Sequence, residues 1–147
     1  MRSIALGAVL TGALGIGLAF AQANPIKERM ELMEANGKAM KIASDMAKGE
    51  KPFDAKAAAD AMKSINASVD KFVTLFPDGS EKGMDTRALP AIWKNKQDFT
   101  DWGKQLKEDT AKAQTAAASG LDGFKTAVAE VGKTCGGCHK DYRAEKK

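Results

Sequence analysis

From Asn24 to the C-terminus, apolar residues return every three or four positions in four long stretches, and nothing reads as a strand. The first predicted helix takes Asn24 as its N-cap and Pro25 in its first turn, where a missing N–H costs nothing. It runs to about Lys48, with Gly49 as its stop. Asp54 caps a second helix carrying Ala58, Ala61, Met62, Ile65, Val69, Phe72 and Phe76, which Pro77-Asp78-Gly79 ends. A polar loop from Asp78 to about Ala88 is the longest connection. A third helix begins near Leu89-Pro90 and carries Ile92, Trp93, Phe99, Trp102 and Leu106 towards Ala118. Ser119-Gly120 separates it from a fourth, which begins near Leu121. One-sided helices joined mostly by short loops predict antiparallel neighbours. The fold class expected is all-α, an up-down-up-down four-helix bundle.

The fourth helix has the most regular pattern. Leu121, Phe124, Val128, Val131, Cys135, Cys138 and Tyr142 follow one another at intervals of 3, 4, 3, 4, 3 and 4, so both cysteines lie on a heptad seam. Gly132, Gly136 and Gly137 are poor helix formers and make sense if something large lies close to the backbone. In the first helix, Ile26, Met30, Met33, Gly37, Met40, Ser44 and Ala47 form a second, approximate seam.

Residues 1–23 stand apart from this pattern. Arg2 precedes an apolar stretch from Ile4 to Phe20, followed by small-x-small sites at Ala19-Phe20-Ala21 and Ala21-Gln22-Ala23. This is the pattern of a secretory signal peptide cleaved after Ala21 or Ala23, leaving a domain over 24–147 and an exported, periplasmic product. An uncleaved anchor is the rival reading, because the stretch approaches the length of a span. Its glycines and paired cleavage sites argue for removal. Loss of Arg2 lowers the formal net charge from +4 to +3. Without a dense basic block interleaved with aromatics, nucleic-acid binding has little support. The basic tail of Lys140, Arg143, Lys146 and Lys147 reads first as a solvated helix end. A docking patch for an acidic redox partner is the second reading.

The candidate chemistry lies in Cys135-Gly136-Gly137-Cys138-His139. This motif attaches haem c: each thiol adds to one vinyl group, and the adjacent histidine reaches the iron. A thioredoxin-like dithiol would need a βαβ setting, and a zinc site would need more soft ligands than two cysteines and one histidine supply. A structural disulfide across two residues would staple little. His139 is the sole histidine, so the sixth iron position falls to a methionine, a weaker donor or nothing. The methionines of the mature chain are Met30, Met33, Met40, Met46, Met62 and Met84. First and last helices are neighbours in such a bundle, so the first seam can face the haem. Met33 lies on it, and Gly37 one turn later leaves room for a flat ring. Met30, Met40, Met46 and Met62 are read as flexible core filler.

With these residues in hand, the chain resembles the class II cytochromes c, the cytochrome c-prime family. The most specific feature is the haem motif at the C-terminus, continued by Lys140, Asp141, Tyr142 and Arg143. The Lys48-Gly49-Glu50 turn, Phe76-Pro77 and Leu89-Pro90-Ala91-Ile92-Trp93 support it. The resemblance implies an antiparallel four-helix bundle with one covalent haem c. The resemblance further implies that the family's sixth-ligand position, sixteen residues before Gly49, is here Met33, as expected of the low-spin, methionine-ligated branch. Arg29 matches an arginine placed near a haem propionate, and Arg143 a basic residue beside the proximal histidine. Many relatives leave the iron five-coordinate and bind nitric oxide or carbon monoxide.

The expectation is a non-enzymatic electron carrier whose iron is held by His139 and Met33. Its partners would be other periplasmic redox proteins or respiratory and photosynthetic complexes. A gas-binding haem protein is the alternative, and a structural haem subunit of a larger complex a third. Family members commonly pair through their first two helices, which leaves a homodimer open.

Overall fold

The computed structural model describes residues 24–145, so the signal-peptide expectation for 1–23 lies outside the described residues. Four long helices and one short one follow in order: α1 Pro25–Ala47, α2 Ala55–Thr74, α3 Ala91–Lys94, α4 Lys96–Ser119 and α5 Leu121–Tyr142. Asn24 caps α1 by accepting from the Ile26 and Lys27 amides, and Asp54 caps α2 by accepting from the Ala57 amide. Gly49 and Gly120, at φ +76° and +116°, take backbone conformations that favour glycine and turn the chain after α1 and between α4 and α5.

Side-chain contacts fix the antiparallel order. Arg29 at the start of α1 meets Leu75 at the end of α2. On α2, Asn66 donates to the Lys107 carbonyl of α4, and Val73 faces Gly103 further back along α4. Asp98 and Asp109 of α4 bond Tyr142 and Thr134 of α5. The fold is the expected four-helix bundle.

Two details differ from the sequence expectation. Helix α2 stops at Thr74, three residues short of Pro77, because proline disfavours helical geometry at the preceding Phe76 and Arg29 Nη1 caps the Leu75 carbonyl at 3.1 Å. The expected third helix is broken at Asn95 (φ −127°, ψ 49°). Before the break, Trp93 Nε1 of α3 donates to the Pro77 carbonyl at 3.1 Å, and after it Phe99 of α4 is buried.

The core has two parts. Ala43, Ala58, Met62, Ala113, Ala117 and Phe124 pack without exposure at one end, the small residues letting the helices approach. The other part is a cluster in which the aromatic rings of Phe76, Phe99 and Tyr142 pack with Ile92, the Phe76 and Phe99 centroids lying 4.7 Å apart. Met46 and Met62 are buried core residues, as expected. Met30 is not filler: it is 39% exposed, and so is Met84, at 57% in the α2–α3 loop. None of the helices among the described residues is long and apolar enough to cross a membrane.

Candidate functional site

Both parts of the core border a cavity of about 670 Å³. Cys135, Cys138 and His139 line it from α5, and Met33, Asn36 and Gly37 from α1. The heptad seam of α5 explains the first group, since a three-residue step keeps Cys135 and Cys138 on one face. Helices α2 and α4 close the sides with Val69, Phe72, Phe99 and Trp102 among others, all uncharged. Gly37 has no heavy atom within 4 Å of where a β-carbon would stand, so the α1 wall is open at that point.

Glycines on α5 divide by function. A β-carbon at Gly137 would lie 2.8 Å from Cζ3 of Trp102, so that glycine admits the indole which walls the cavity. Gly136 meets nothing. Of the three glycines expected to admit a close neighbour, Gly137 is approached by Trp102 and Gly132 by the Met40 side chain.

Electrostatics at the motif oppose dithiol redox chemistry. Burial pushes the Cys135 thiol up, and burial followed by the neighbouring Cys135, Asp141 and Asp98 pushes Cys138 up to about 12. Reactive Cys-x-x-Cys pairs are shifted the other way. Both thiols are unpaired in the structure. Burial first, then Arg143 and Arg87, hold the His139 pKa below its ordinary value, favouring the neutral imidazole that can donate a lone pair. Among the described residues no group of three or more His, Cys, Asp and Glu side chains could hold a metal ion by itself.

The predicted arginines take different places. Arg29 is 3% exposed. Its Nη1 donates to the Leu75 carbonyl and Ser80 Oγ, both at 3.1 Å, and its Nη2 to the Ser80 carbonyl at 2.7 Å and Thr86 Oγ1 at 3.0 Å. The guanidinium also stands 4.7 Å from the Phe76 ring centroid. Burial lowers its pKa, opposed by Glu81. Arg29 lines the cavity and also ties α1 to the α2–α3 loop. Arg143 lines the cavity one turn past His139.

Sequence reasoning missed the loop. The Leu89 amide donates to the Tyr142 carbonyl at 3.0 Å and the Ala144 amide to the Arg87 carbonyl at 2.8 Å, an isolated antiparallel bridge between Ala88 and Arg143. This bridge brings Thr86 and Arg87 to the cavity. A signal was present: only four arginines occur beside nineteen lysines, so each arginine is a distinct choice of a planar fork over a point charge. Asn36 was also missed. Its Nδ2 is buried at the cavity wall without a partner, while its Oδ1 accepts from Ser68 Oγ at 2.9 Å.

An apolar chamber bordered by three arginines, with two thiols and a neutral imidazole on one wall, fits a flat apolar group carrying carboxylates. Comparison with known proteins points the same way. Residues 24–143 match the family model described as Cytochrome C'. The chain is 36% identical over 139 residues to cytochrome c-556 of Agrobacterium fabrum, covering 95% of this chain and 93% of that one. The structure of cytochrome c' from Rhodopseudomonas palustris superposes with a TM-score of 0.82 at 32% identity, covering 86% of this chain and all of the other. A nitric oxide complex of a variant cytochrome c prime from Alcaligenes xylosoxidans superposes with a TM-score of 0.74 at 25% identity, covering 84% of this chain and 98% of that one.

Proposed function

The chain belongs to the cytochrome c' family, and from that premise we propose that it is an electron carrier whose iron is held between His139 and Met33. Its cofactor is haem c, covalently bound, with iron. When bound, the haem supplies an iron that changes oxidation state by one electron. Cys135 and Cys138 are the thiols assigned to its attachment.

The observation that carries the proposal is that Met33 on α1 and His139 on α5 line one cavity from two neighbouring antiparallel helices. Both ligands then stand on helices rather than loops, so their positions need change little with the iron's charge. The uncharged walls of α2 and α4 give the site a largely apolar surround. A histidine–methionine pair also raises the potential, suiting a carrier that must hold and release an electron. Export by the segment 1–23, a periplasmic location, and redox proteins or respiratory and photosynthetic complexes as partners belong to the same reading. No catalytic residue is assigned.

A five-coordinate binder of nitric oxide or carbon monoxide is the second reading. It is favoured by the open space beside Gly37 and by the bound nitric oxide of the relative from Alcaligenes xylosoxidans. The visible spectrum of the purified holoprotein and of Met33→Leu separates the two. The carrier reading expects a low-spin, six-coordinate wild type and a high-spin variant. A high-spin wild type that binds carbon monoxide readily overturns it.

A further inference from the structure

We propose that Arg87 is a haem-propionate-binding residue, an inference that rests on the haem reading above. All eleven ion pairs among the described residues use lysine as the cation. The three described arginines, Arg29, Arg87 and Arg143, all line the cavity, and none of them pairs with a carboxylate there. Three forks gathered around one apolar chamber call for an anion, because a partly buried cation is costly without a counter-charge. Haem brings two carboxylates on one edge.

Arg29 has little of its fork to spare for them. Its two terminal nitrogens already donate to four protein acceptors at 2.7 to 3.1 Å, so a two-pronged bond to a carboxylate would have to break at least one of these. Arg87 is uncommitted by comparison. Its guanidinium gives one long bond, from Nη1 to the Ala144 carbonyl at 3.4 Å, which leaves most of its five donors available. Its backbone is nonetheless fixed, because its own carbonyl accepts from Ala144 in the bridge to the end of α5. A rigidly anchored backbone with a free fork is a suitable carboxylate binder. Of the two acids in the lining, Glu34 is bonded to Lys38 at 2.6 Å, and Asp85 is exposed and forms no ion pair with Arg87. Arg29 then shapes the loop that presents Arg87.

The test uses holoprotein carrying Arg87→Gln or Arg87→Lys, read by resonance Raman spectroscopy and by redox titration. In Arg87→Gln the propionate bending band shifts from its wild-type position. The reduction potential falls, since removing a nearby positive charge favours ferric iron. In Arg87→Lys the potential stays near the wild type while the band still shifts, because the charge remains and the fork is lost. If the glutamine variant does not accumulate, the lysine variant decides by its band. An unmoved band in both variants overturns the proposal, as does a band that moves only with Arg29→Lys. A purified chain without haem overturns the functional reading and this inference with it; a loaded chain with an unmoved band overturns this inference alone.

Discussion

Gly132 of α5 packs against the Met40 side chain of α1: a β-carbon at 132 would stand 3.6 Å from Met40 Cε. Seven residues before Met40 is Met33, and seven after Gly132 is His139. On antiparallel helices these steps run in the same direction, about 10.5 Å from the contact. The packing register therefore brings Met33 and His139 to one level on the cavity's two walls, with Gly37 between the contact and Met33.

That register is testable at Gly132. The 3.6 Å distance is ordinary contact, so Gly132→Ala should be tolerated and should gain up to about 1 kcal/mol in helix propensity. Gly132→Ile should instead force α1 and α5 apart and cost roughly 1–3 kcal/mol by overpacking. If Met33 ligates the iron, the isoleucine variant also acquires a high-spin component in its visible spectrum. Chemical unfolding of the holoproteins checks the stabilities. Equal stability of the alanine and isoleucine variants would show that the contact does not set the helix spacing.

Arg29 is expected to be a stability residue first. Replacing it by Met keeps the length of the stem but leaves the Leu75 and Ser80 carbonyls and two hydroxyls without their donor. Buried acceptors deprived of a charged donor cost roughly 2–4 kcal/mol in total, since such terms do not add fully. Denaturant unfolding should show this loss, together with faster proteolysis within 76–86. A variant as stable as the wild type, with an intact loop, would contradict the tie.

How much of this was legible beforehand depended on range. The four helices, their caps at Asn24 and Asp54, and the seam that carries Cys135 and Cys138 rest on neighbours three or four residues apart, and the sequence displays these directly. The break at Asn95 does not, because it accompanies a contact between Trp93 and the Pro77 carbonyl, sixteen residues away. The bridge between Ala88 and Arg143 spans more than fifty residues and has no alternating pattern to announce it. Arg87 therefore had only the scarcity of arginine to mark it as a site residue, while Arg143 follows His139 by one helical turn. Gly136 and Gly137 looked equivalent in sequence; only Trp102, arriving from another helix, distinguishes them.

That distinction makes a matched pair of predictions. Gly136→Ala meets no neighbour and should stabilise the helix by up to about 1 kcal/mol. Gly137→Ala drives its methyl into the Trp102 ring, whose nearest atoms are Cη2 and Cζ3. The indole is rigid and walls the cavity, so the net effect should be a loss of roughly 1–3 kcal/mol. Thermal unfolding of both holoproteins, with tryptophan fluorescence to follow the indole, measures the contrast. Similar shifts in the two variants would mean that Trp102 moves aside freely.

Tyr142 supplies a pH dependence of known sign. Its hydroxyl donates to Asp98 Oδ2 at 2.5 Å, joining the end of α5 to the start of α4. Burial, then the hydrogen bond to Asp98 and the charge of that carboxylate, push the phenol up to about 12. An unfolded tyrosine ionises near pH 10. The folded chain therefore keeps its proton where the unfolded chain begins to lose it. The stabilisation is complete below about pH 10 and fades as the pH rises from about 10 to about 12. Tyr142→Phe removes this fall along with the bond to Asp98. Its unfolding free energy should be lower than that of the wild type at neutral pH, and the two should converge above pH 10. Curves that stay parallel across that range would show that the phenol does not hold its proton against Asp98 in the folded protein.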